Sequence, residues 1–363
     1  MRTLANPSLA PAPEPRPASR RSPPIARLLL AAACAILAED VSARDPARAE
    51  RIVVDNALSP LNHEKLAAPE GIAARGEAVL VSQAGDSRIM RIGPDGKLSL
   101  VVDLAKLPGG SNKSFGLGLA LDSAGNLYIA ARKFRGGALL RAVNVLAAKT
   151  PLSAADVHVV RERLGSPNGL ALDERGGAIY VSDSGPVAAF GLVRGGIYRI
   201  TLDGRDGASP RPGERIASLR FPNGLALSHD RTALFIAQTY AGLSPGGLYK
   251  LDLTRPGSSP ERLLRLGGWP DGLLMHPRES IAYLCLQKRG EIARIDLASR
   301  SVQRRGFHGR DGRCAPASLA WRDDQTLLFT DIWEPSLPKI LLKRWHHHAY
   351  AVPVAVIAES GAK

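Results

Sequence analysis

Cysteines and aromatic residues are scarce in this chain of 363 residues, and each scarcity excludes a class of protein. Three cysteines are too few for a disulfide-rich scaffold or a cysteine-based zinc site. Cys285 and Cys314 could pair in an oxidising compartment, and the sequence leaves this open. Aromatic residues make up only 5% of the chain, and the basic residues that give a net charge of +14 are scattered. A nucleic-acid-binding surface would cluster them, so we expect no nucleic-acid partner.

The chain also lacks an apolar run of the roughly 20 residues that cross a bilayer. The shorter run Leu28–Ala38 follows a segment rich in Pro and Arg, and precedes the small-residue sequence Val41-Ser42-Ala43. This order is typical of a secretory signal. We predict that residues 1–43 are a signal peptide, that the protein is periplasmic or secreted, and that no stable membrane insertion follows cleavage. An uncleaved anchor or a misassigned start codon are the alternatives.

A tripeptide recurs six times, at intervals of 46 to 55 residues. The copies are Pro69-Glu70-Gly71, Gly116-Leu117-Gly118, Pro167-Asn168-Gly169, Pro222-Asn223-Gly224, Pro270-Asp271-Gly272 and Pro316-Ala317-Ser318. Each copy opens a similar order of short apolar segments of period two, separated by turns that contain Gly or Asp. This repeated order of strands and turns is typical of β-propeller blades. We predict an all-β, six-bladed β-propeller over residues 44–363, with blades starting near residues 69, 116, 167, 222, 270 and 316.

A propeller ring is closed when its last blade takes a strand from the other end of the chain. The segment Arg51–Asp55 resembles Leu98–Asp103, the predicted outer strand of blade one. We therefore predict that residues 51–55 complete blade six. The alternative is that the apolar segment Tyr350–Ile357 supplies the missing strand.

The middle residue of the tripeptide is an oxygen donor in four of the six copies. These donors are Glu70, Asn168, Asn223 and Asp271. Equivalent positions of a closed ring lie at one height around its axis, so the four side chains should converge. Carboxylate and amide oxygens without His or Cys suit a hard cation, and we predict a site for Ca²⁺ or another divalent cation. The alternative is turn chemistry alone, since Asn-Gly and Asp-Gly are common turn pairs.

Four of these motifs resemble those of a known family, the senescence marker protein, gluconolactonase and luciferin-regenerating-enzyme-like proteins. The motifs are Pro69-Glu70-Gly71, Ser166-Pro-Asn-Gly-Leu170, Phe221-Pro-Asn-Gly-Leu225 and Trp269-Pro-Asp-Gly-Leu273. The resemblance covers about residues 50–345 and implies a six-bladed, calcium-dependent lactonase. It also implies that Glu70, Asn168, Asn223 and Asp271 hold the ion, and that Asp271 is the general base. The first motif departs from the family pattern at Gly71-Ile72.

A second ring of equivalent positions lies at the ends of the second strands: Gln83, Ala131, Asp183, Gln238, Leu286 and Asp331. Asp183, Gln238 and Asp331 could contact a polar substrate. Hydrogen bonding among buried polar groups is the alternative for each. Trp269, beside Asp271, could form a wall for a sugar-like ring, or could simply pack in the core.

The sequence thus predicts a hydrolase of a small-molecule lactone or related ester, with Asp271 as its catalytic residue. Two other interpretations stay open. Pro69–Ala73 and Gly125–Ala130 also resemble NHL repeats, which serve as non-catalytic binding modules. A strictosidine-synthase-like enzyme would use the same ring without a metal. Calcium binding separates the first interpretation from both others, because the fold alone does not decide function.

Overall fold

The structure, a computed structural model, describes residues 52–54, 58–148, 151–185, 193–202, 213–241, 244–309, 312–333 and 345–358. The predicted signal peptide lies outside this part of the chain. Almost all regular structure is β-strand, apart from 3-10 turns at Leu104–Lys106, Ala154–Asp156 and Gln287–Arg289 and the helix α1 (Val354–Ala358). Among the described residues, no helix has the length and apolar character to cross a membrane.

Six antiparallel blades follow one another along the chain, and each runs outward from its innermost strand in chain order, except that the outermost strand of blade six precedes blade one. Two strands precede them, β1 (Ile52–Val54) and β2 (Ser59–Pro60). Blade one contains β3 (Pro69–Arg75), β4 (Ala78–Gln83), β5 (Arg88–Ile92) and β6 (Leu98–Asp103). Blade two contains β7 (Phe115–Leu121), β8 (Leu127–Arg132), β9 (Ala138–Ala142) and β10 (Val157–Glu162). Blade three contains β11 (Pro167–Asp173), β12 (Ala178–Asp183), β13 (Gly196–Thr201) and β14 (Gly213–Ala217).

The remaining blades repeat this pattern. Blade four contains β15 (Pro222–Leu227), β16 (Ala233–Ala241), β17 (Ser244–Asp252) and β18 (Glu261–Arg265). Blade five contains β19 (Pro270–Met275), β20 (Ile281–Leu286), β21 (Glu291–Asp296), β22 (Val302–Gly309) and the short β23 (Gly312–Arg313). Blade six contains β24 (Pro316–Asp323), β25 (Thr326–Trp333) and β26 (Trp345–Pro353). The innermost strands contact one another in sequence, and β24 contacts β3, so the ring is closed. The predicted six-bladed β-propeller is confirmed.

The hydrophobic core lies between neighbouring blades. Second strands are buried on both faces, as in Ile281–Leu286, where every residue is buried. The outer strand of blade four, Glu261–Arg265, has no buried residue, because one side of it faces water. One apolar cluster joins Leu80 of blade one to Ile129 of blade two. The blades therefore bury their faces against each other, which explains why a single repeat cannot fold alone.

Glycine at the third position of the tripeptide allows the innermost strands to approach closely. A Cβ atom at Gly71 would lie 2.0 Å from the carbonyl oxygen of Leu117 in the next blade. The corresponding distances for Gly118, Gly169, Gly224 and Gly272 are 2.3, 2.3, 2.4 and 2.4 Å. Side chains at these positions would push the blades apart. Five of the six tripeptides therefore need glycine for the close approach of the next blade, whereas blade six has Ser318 at this position.

Buried hydroxyl groups join adjacent blades next to these glycines. The N–H group of Gly71 donates to Oγ of Ser82 (2.8 Å), and that hydroxyl donates to the carbonyl of Leu117 (2.7 Å). Thr330 Oγ1 makes the equivalent link from blade six to the carbonyl of Glu70 (2.5 Å). Because these links satisfy buried backbone groups, they fix the height of the tripeptides around the axis.

The closure of blade six differs from the sequence prediction. Ile52–Val54 pairs in parallel with β22, the outer strand of blade five, so the prediction that residues 51–55 complete blade six is wrong. Ser59–Pro60 takes that place and pairs antiparallel with Tyr350 and Ala351 of β26. A short β-branched segment can pair with any open sheet edge, and its composition does not specify which one.

The side chain of Asn62 reinforces this closure. Its Oδ1 accepts the N–H group of Ala349 (2.8 Å), while its Nδ2 contacts Nδ1 of His348 (3.2 Å) and donates to the carbonyl of Glu64 (2.7 Å). Asn62 is fully buried. It therefore ties the beginning of the described chain to its end.

Cys285 and Cys314, the two cysteines in the described part of the chain, are separate buried thiols and form no disulfide with each other. Burial raises the pKa of the Cys285 thiol well above its usual range, and the nearby charges of Asp271 and Glu70 raise it further. Cys285 stays protonated and acts as a small packing residue.

Candidate metal centre

A β-bulge re-aims the middle residue of every tripeptide. In blade one Pro69 pairs with Gln83 but Ile72 pairs with Val81, so one extra residue lies in the inner strand between these pairs. The same register shift occurs in all six blades. It is present around Leu117 and Ala317 as well, so the bulge belongs to the repeat and does not depend on a polar residue. Bulges of this kind redirect side chains next to functional sites.

The four predicted metal ligands come together. Glu70, Asn168, Asn223 and Asp271 line one axial cavity of about 320 Å³, at the end where the inner strands begin. Glu70, Asn223 and Asp271 are 9, 6 and 5% exposed, whereas Asn168 is half-buried. Farther along, the wall consists of apolar side chains such as Leu119. A polar ring therefore stands over an apolar channel.

Hydrogen bonds fix how the two amides face the ring. Nδ2 of Asn168 donates to Oγ of Ser184 (3.3 Å), which donates in turn to the carbonyl of Pro222 (2.9 Å). Nδ2 of Asn223 donates to Oγ1 of Thr239 (3.1 Å), which donates to the carbonyl of the next blade's proline (2.9 Å). Since the nitrogen of each amide is held by a hydroxyl, its oxygen is the atom left for a ligand.

A third partner, at the equivalent position, holds the carboxylate of blade five. Nε2 of Gln287 donates to Oδ2 of Asp271 (3.0 Å). Gln287, Ser184 and Thr239 all lie one residue beyond the predicted second ring. Sequence reasoning missed them, although extending the repeat alignment by one position would have found them.

Burial makes the two carboxylates unusually hard to ionise. It raises the pKa of Glu70 to about 7, against a smaller lowering by the charge of Arg132. Burial and then the charge of Glu70 raise the pKa of Asp271 well above its usual range, while a hydrogen bond with Asn223 lowers it. Two desolvated carboxylates that repel each other are stabilised when a cation binds between them.

The ring fits a hard divalent cation on its own chemistry. It offers two carboxylates and two amide oxygens, the donor types that Ca²⁺ prefers. Among the described residues no group of three or more His, Cys, Asp and Glu side chains could hold a metal, so a site rich in His or Cys is not available in that part of the chain. Any cation at this ring would need the amides as well as the acids.

Arg132 is the main functional candidate that sequence reasoning missed. It ends the second strand of blade two, in the same repeat position as Ser184, Thr239 and Gln287. Its charge acts on Glu70, Tyr240 and Asp183. Blade two contributes no oxygen donor to the ring and instead places a cation beside it. The sequence signal for this residue was that the position at the end of the second strand is Arg in blade two and uncharged in the other five blades.

The polar members of the predicted second ring bind backbone. Each bonds to the loop that precedes the tripeptide of its own blade. Gln83 accepts from the N–H group of Ala67, Asp183 from Ser166 (3.0 Å) and Asp331 from Ala315 (2.6 Å), and Gln238 donates to the carbonyl of Arg220 (2.9 Å). Gln238 and Asp331 are buried, and Asp183 is half-buried. These bonds hold the tripeptides in position, and substrate contact by Asp183, Gln238 and Asp331 stays a prediction.

Trp269 lies immediately before the tripeptide of blade five with a left-handed backbone (φ +57°). Ala68 and Phe221 have the same conformation before the tripeptides of blades one and four. The ring of Trp269 is half-buried and tilted against Tyr240, with 6.1 Å between centroids, and Tyr240 stacks on Phe221 at 4.5 Å. Burial raises the pKa of Tyr240 to about 12. An aromatic wall thus exists, and its contact with a substrate stays a prediction.

The fold and this ring define a class: a six-bladed propeller that gathers carboxylate and amide oxygens at one end of its axial channel. No family model matches the chain, and no curated protein matches it. Several solved structures do match the chain. A gluconolactonase from Xanthomonas campestris is 21% identical with a TM-score of 0.59, over 82% of this chain and 89% of that one.

Two further solved structures share the fold and differ in what they bind. A calcium-binding protein, regucalcin, from Agrobacterium tumefaciens is 15% identical with a TM-score of 0.58, over 83% of this chain and 95% of that one. A PQQ-bound aldose sugar dehydrogenase from Streptomyces coelicolor is 17% identical with a TM-score of 0.58, over 82% of this chain and 98% of that one. At these identities the likeness establishes the fold alone, so function has to be argued from the site.

Proposed function

We propose that this protein is an exported hydrolase of lactones or related esters that depends on Ca²⁺ or another divalent cation. The observation that carries the proposal is the convergence of four oxygen donors, two of them buried carboxylates with raised pKa values, on one axial cavity. The family resemblance of the motifs and the fold shared with a gluconolactonase and a calcium-binding regucalcin support it.

Glu70, Asn168, Asn223 and Asp271 would hold the cation. When bound, it would polarise the substrate carbonyl and acidify the attacking water. Gln287 fixes one oxygen of Asp271 and so orients the carboxylate that would accept a proton from that water. The apolar channel below the ring would limit the access of bulk water to the reacting group.

Calorimetry with Ca²⁺ tests the proposal directly. We expect the metal-free protein to bind Ca²⁺, and the double variant Asn168→Ala/Asp271→Ala to lose that binding together with hydrolysis of a gluconolactone. The matched control Asn112→Ala/Asp252→Ala removes the same residue types from exposed or half-exposed surface positions and should leave both unchanged. A parent protein that does not bind Ca²⁺ would point to an NHL-like scaffold or to a metal-free, strictosidine-synthase-like enzyme.

Export is the second element of the proposal. Mass spectrometry of the protein recovered from the periplasm or medium should show a chain that begins at residue 44. Recovery of the full chain in the cytoplasm alone would contradict this element and leave the chemistry of the ring untouched.

A further inference from the structure

A second cavity lies next to the ring, between blades two and three. We call this cavity the groove, and its volume is about 440 Å³. Its charged lining residues are Arg132, Lys133, Asp183, Arg194 and Arg215. Four cations therefore face one carboxylate. An excess of three positive charges in one concave site favours an anionic ligand.

The four cations have no close ionic partner among the described residues. None of them forms an ion pair within 4 Å in the described part of the chain. Arg132 and Lys133 lie over the ring of Phe115, with 5.8 and 5.9 Å from the charged groups to its centroid. Arg215 donates to the carbonyl of Gly195. These contacts position the side chains and leave most of their donors for a ligand.

Asp183, the carboxylate of the groove, bonds to the backbone on both sides of the groove. Oδ1 of Asp183 accepts the N–H groups of Ser166 and Gly185, both at 3.0 Å. Asp183 thus holds together the two loops that form the sides of the groove.

Ser166 is a separate indication that the groove binds a ligand. It lines the groove and is only 6% exposed, yet its hydroxyl group has no hydrogen-bond partner among the described residues. A buried hydroxyl without a partner is costly unless a ligand or a water completes it.

Arg132 connects the groove to the ring. It lines the groove, and its charge acts on Glu70 in the ring as well as on Asp183. A substrate whose carbonyl lies over the ring could therefore extend a second group into the groove. Guanidinium groups bind carboxylates and phosphates through paired hydrogen bonds.

We propose that the groove of blades two and three binds an anionic group of the substrate, a carboxylate or a phosphate, so that the preferred substrates are acidic lactones or esters. This inference rests on the proposed hydrolase function and adds the substrate class to it.

Two lactones that differ by one group test the inference. Glucaro-1,4-lactone carries a carboxylate where glucono-1,4-lactone carries a hydroxymethyl group. We expect the wild type to favour the acidic probe in kcat/KM, and Arg194→Gln/Arg215→Gln to lower this preference about 10- to 100-fold through KM. Added salt should weaken the preference as well. Arg194→Gln alone gives an independent test should the double variant fail to fold.

Arg262→Gln is the matched control. Arg262 pairs with Tyr249 in blade four as Arg215 pairs with Tyr198 in blade three, and it lies outside the groove. This variant should keep the wild-type preference. Equal kcat/KM for the two lactones, or a preference that survives in the double variant, would overturn the inference while the hydrolase stands.

A failure of the hydrolase function gives a different pattern. If neither lactone is hydrolysed in the presence of Ca²⁺, the proposed function fails, and calorimetry with glucarate then decides about the groove. Binding of glucarate that is lost in the double variant supports an anion site. No binding of glucarate to the wild type overturns it.

Discussion

The variant Glu70→Gln should change how the stability of the metal-free protein depends on pH. In the wild type we expect the free energy of unfolding to fall as the pH rises from about 4.5 to about 7, and in Glu70→Gln we expect a smaller fall that lacks the contribution of Glu70. The reason is the burial of Glu70 in the ring, which disfavours its ionised form.

The size of the effect follows from the pKa of Glu70. Burial raises it from 4.5 to about 7. Between these values the folded protein keeps a proton that the unfolded chain has released, so the stabilising contribution is complete below pH 4.5 and is lost through pH 7. The shift corresponds to about 3 kcal/mol. Asp271, whose pKa is also raised, contributes in the same direction.

Urea denaturation in a chelator, followed by tryptophan fluorescence from pH 4 to pH 8, measures this profile. Asp252→Asn is the control, because hydrogen bonds lower the pKa of Asp252 to about 2 and its titration lies below the window. Saturating Ca²⁺ should reverse the slope, since the cation binds the ionised carboxylates and competes with protons. Parallel profiles for the wild type and Glu70→Gln in the chelator would refute the reasoning.

Two further predictions concern the supports of the ring and of the fold. Thr239→Val should weaken Ca²⁺ binding about 10-fold in calorimetry, because it frees the amide of Asn223 to rotate while keeping the shape of the side chain; unchanged affinity would contradict this orienting role. Asn62→Ala should lower the free energy of unfolding by about 2 to 4 kcal/mol, since it leaves the N–H group of Ala349 buried without its acceptor. The exposed Asn112→Ala should have little effect, and equal stability of these two variants in urea would show that Asn62 does not hold the closure.

Much of the site could be predicted from the sequence because the fold repeats. Once Glu70 and Asp271 occupy the same place in their units, ring symmetry brings them together without knowledge of any other contact. The bulge that re-aims them is a backbone property of every blade, so the prediction did not depend on individual side chains.

Properties set by neighbours in space were less accessible to sequence reasoning. The raised pKa of Glu70 depends on burial by other blades, and the groove joins residues of blades two and three that are far apart in the chain. Arg132 acquires its importance only from the charges that face it.

The sequence by itself determined the number of blades, the start of each inner strand and the four oxygen donors, because these follow from local periodicity and from equivalence between repeats. The tertiary structure alone decided that Ser59–Pro60 closes blade six and that Ile52–Val54 joins blade five. It also decided that hydroxyl groups orient the amides and that cations gather beside the ring. Edge pairing, burial and electrostatic fields depend on distances between residues remote in sequence, and only the folded chain sets those distances.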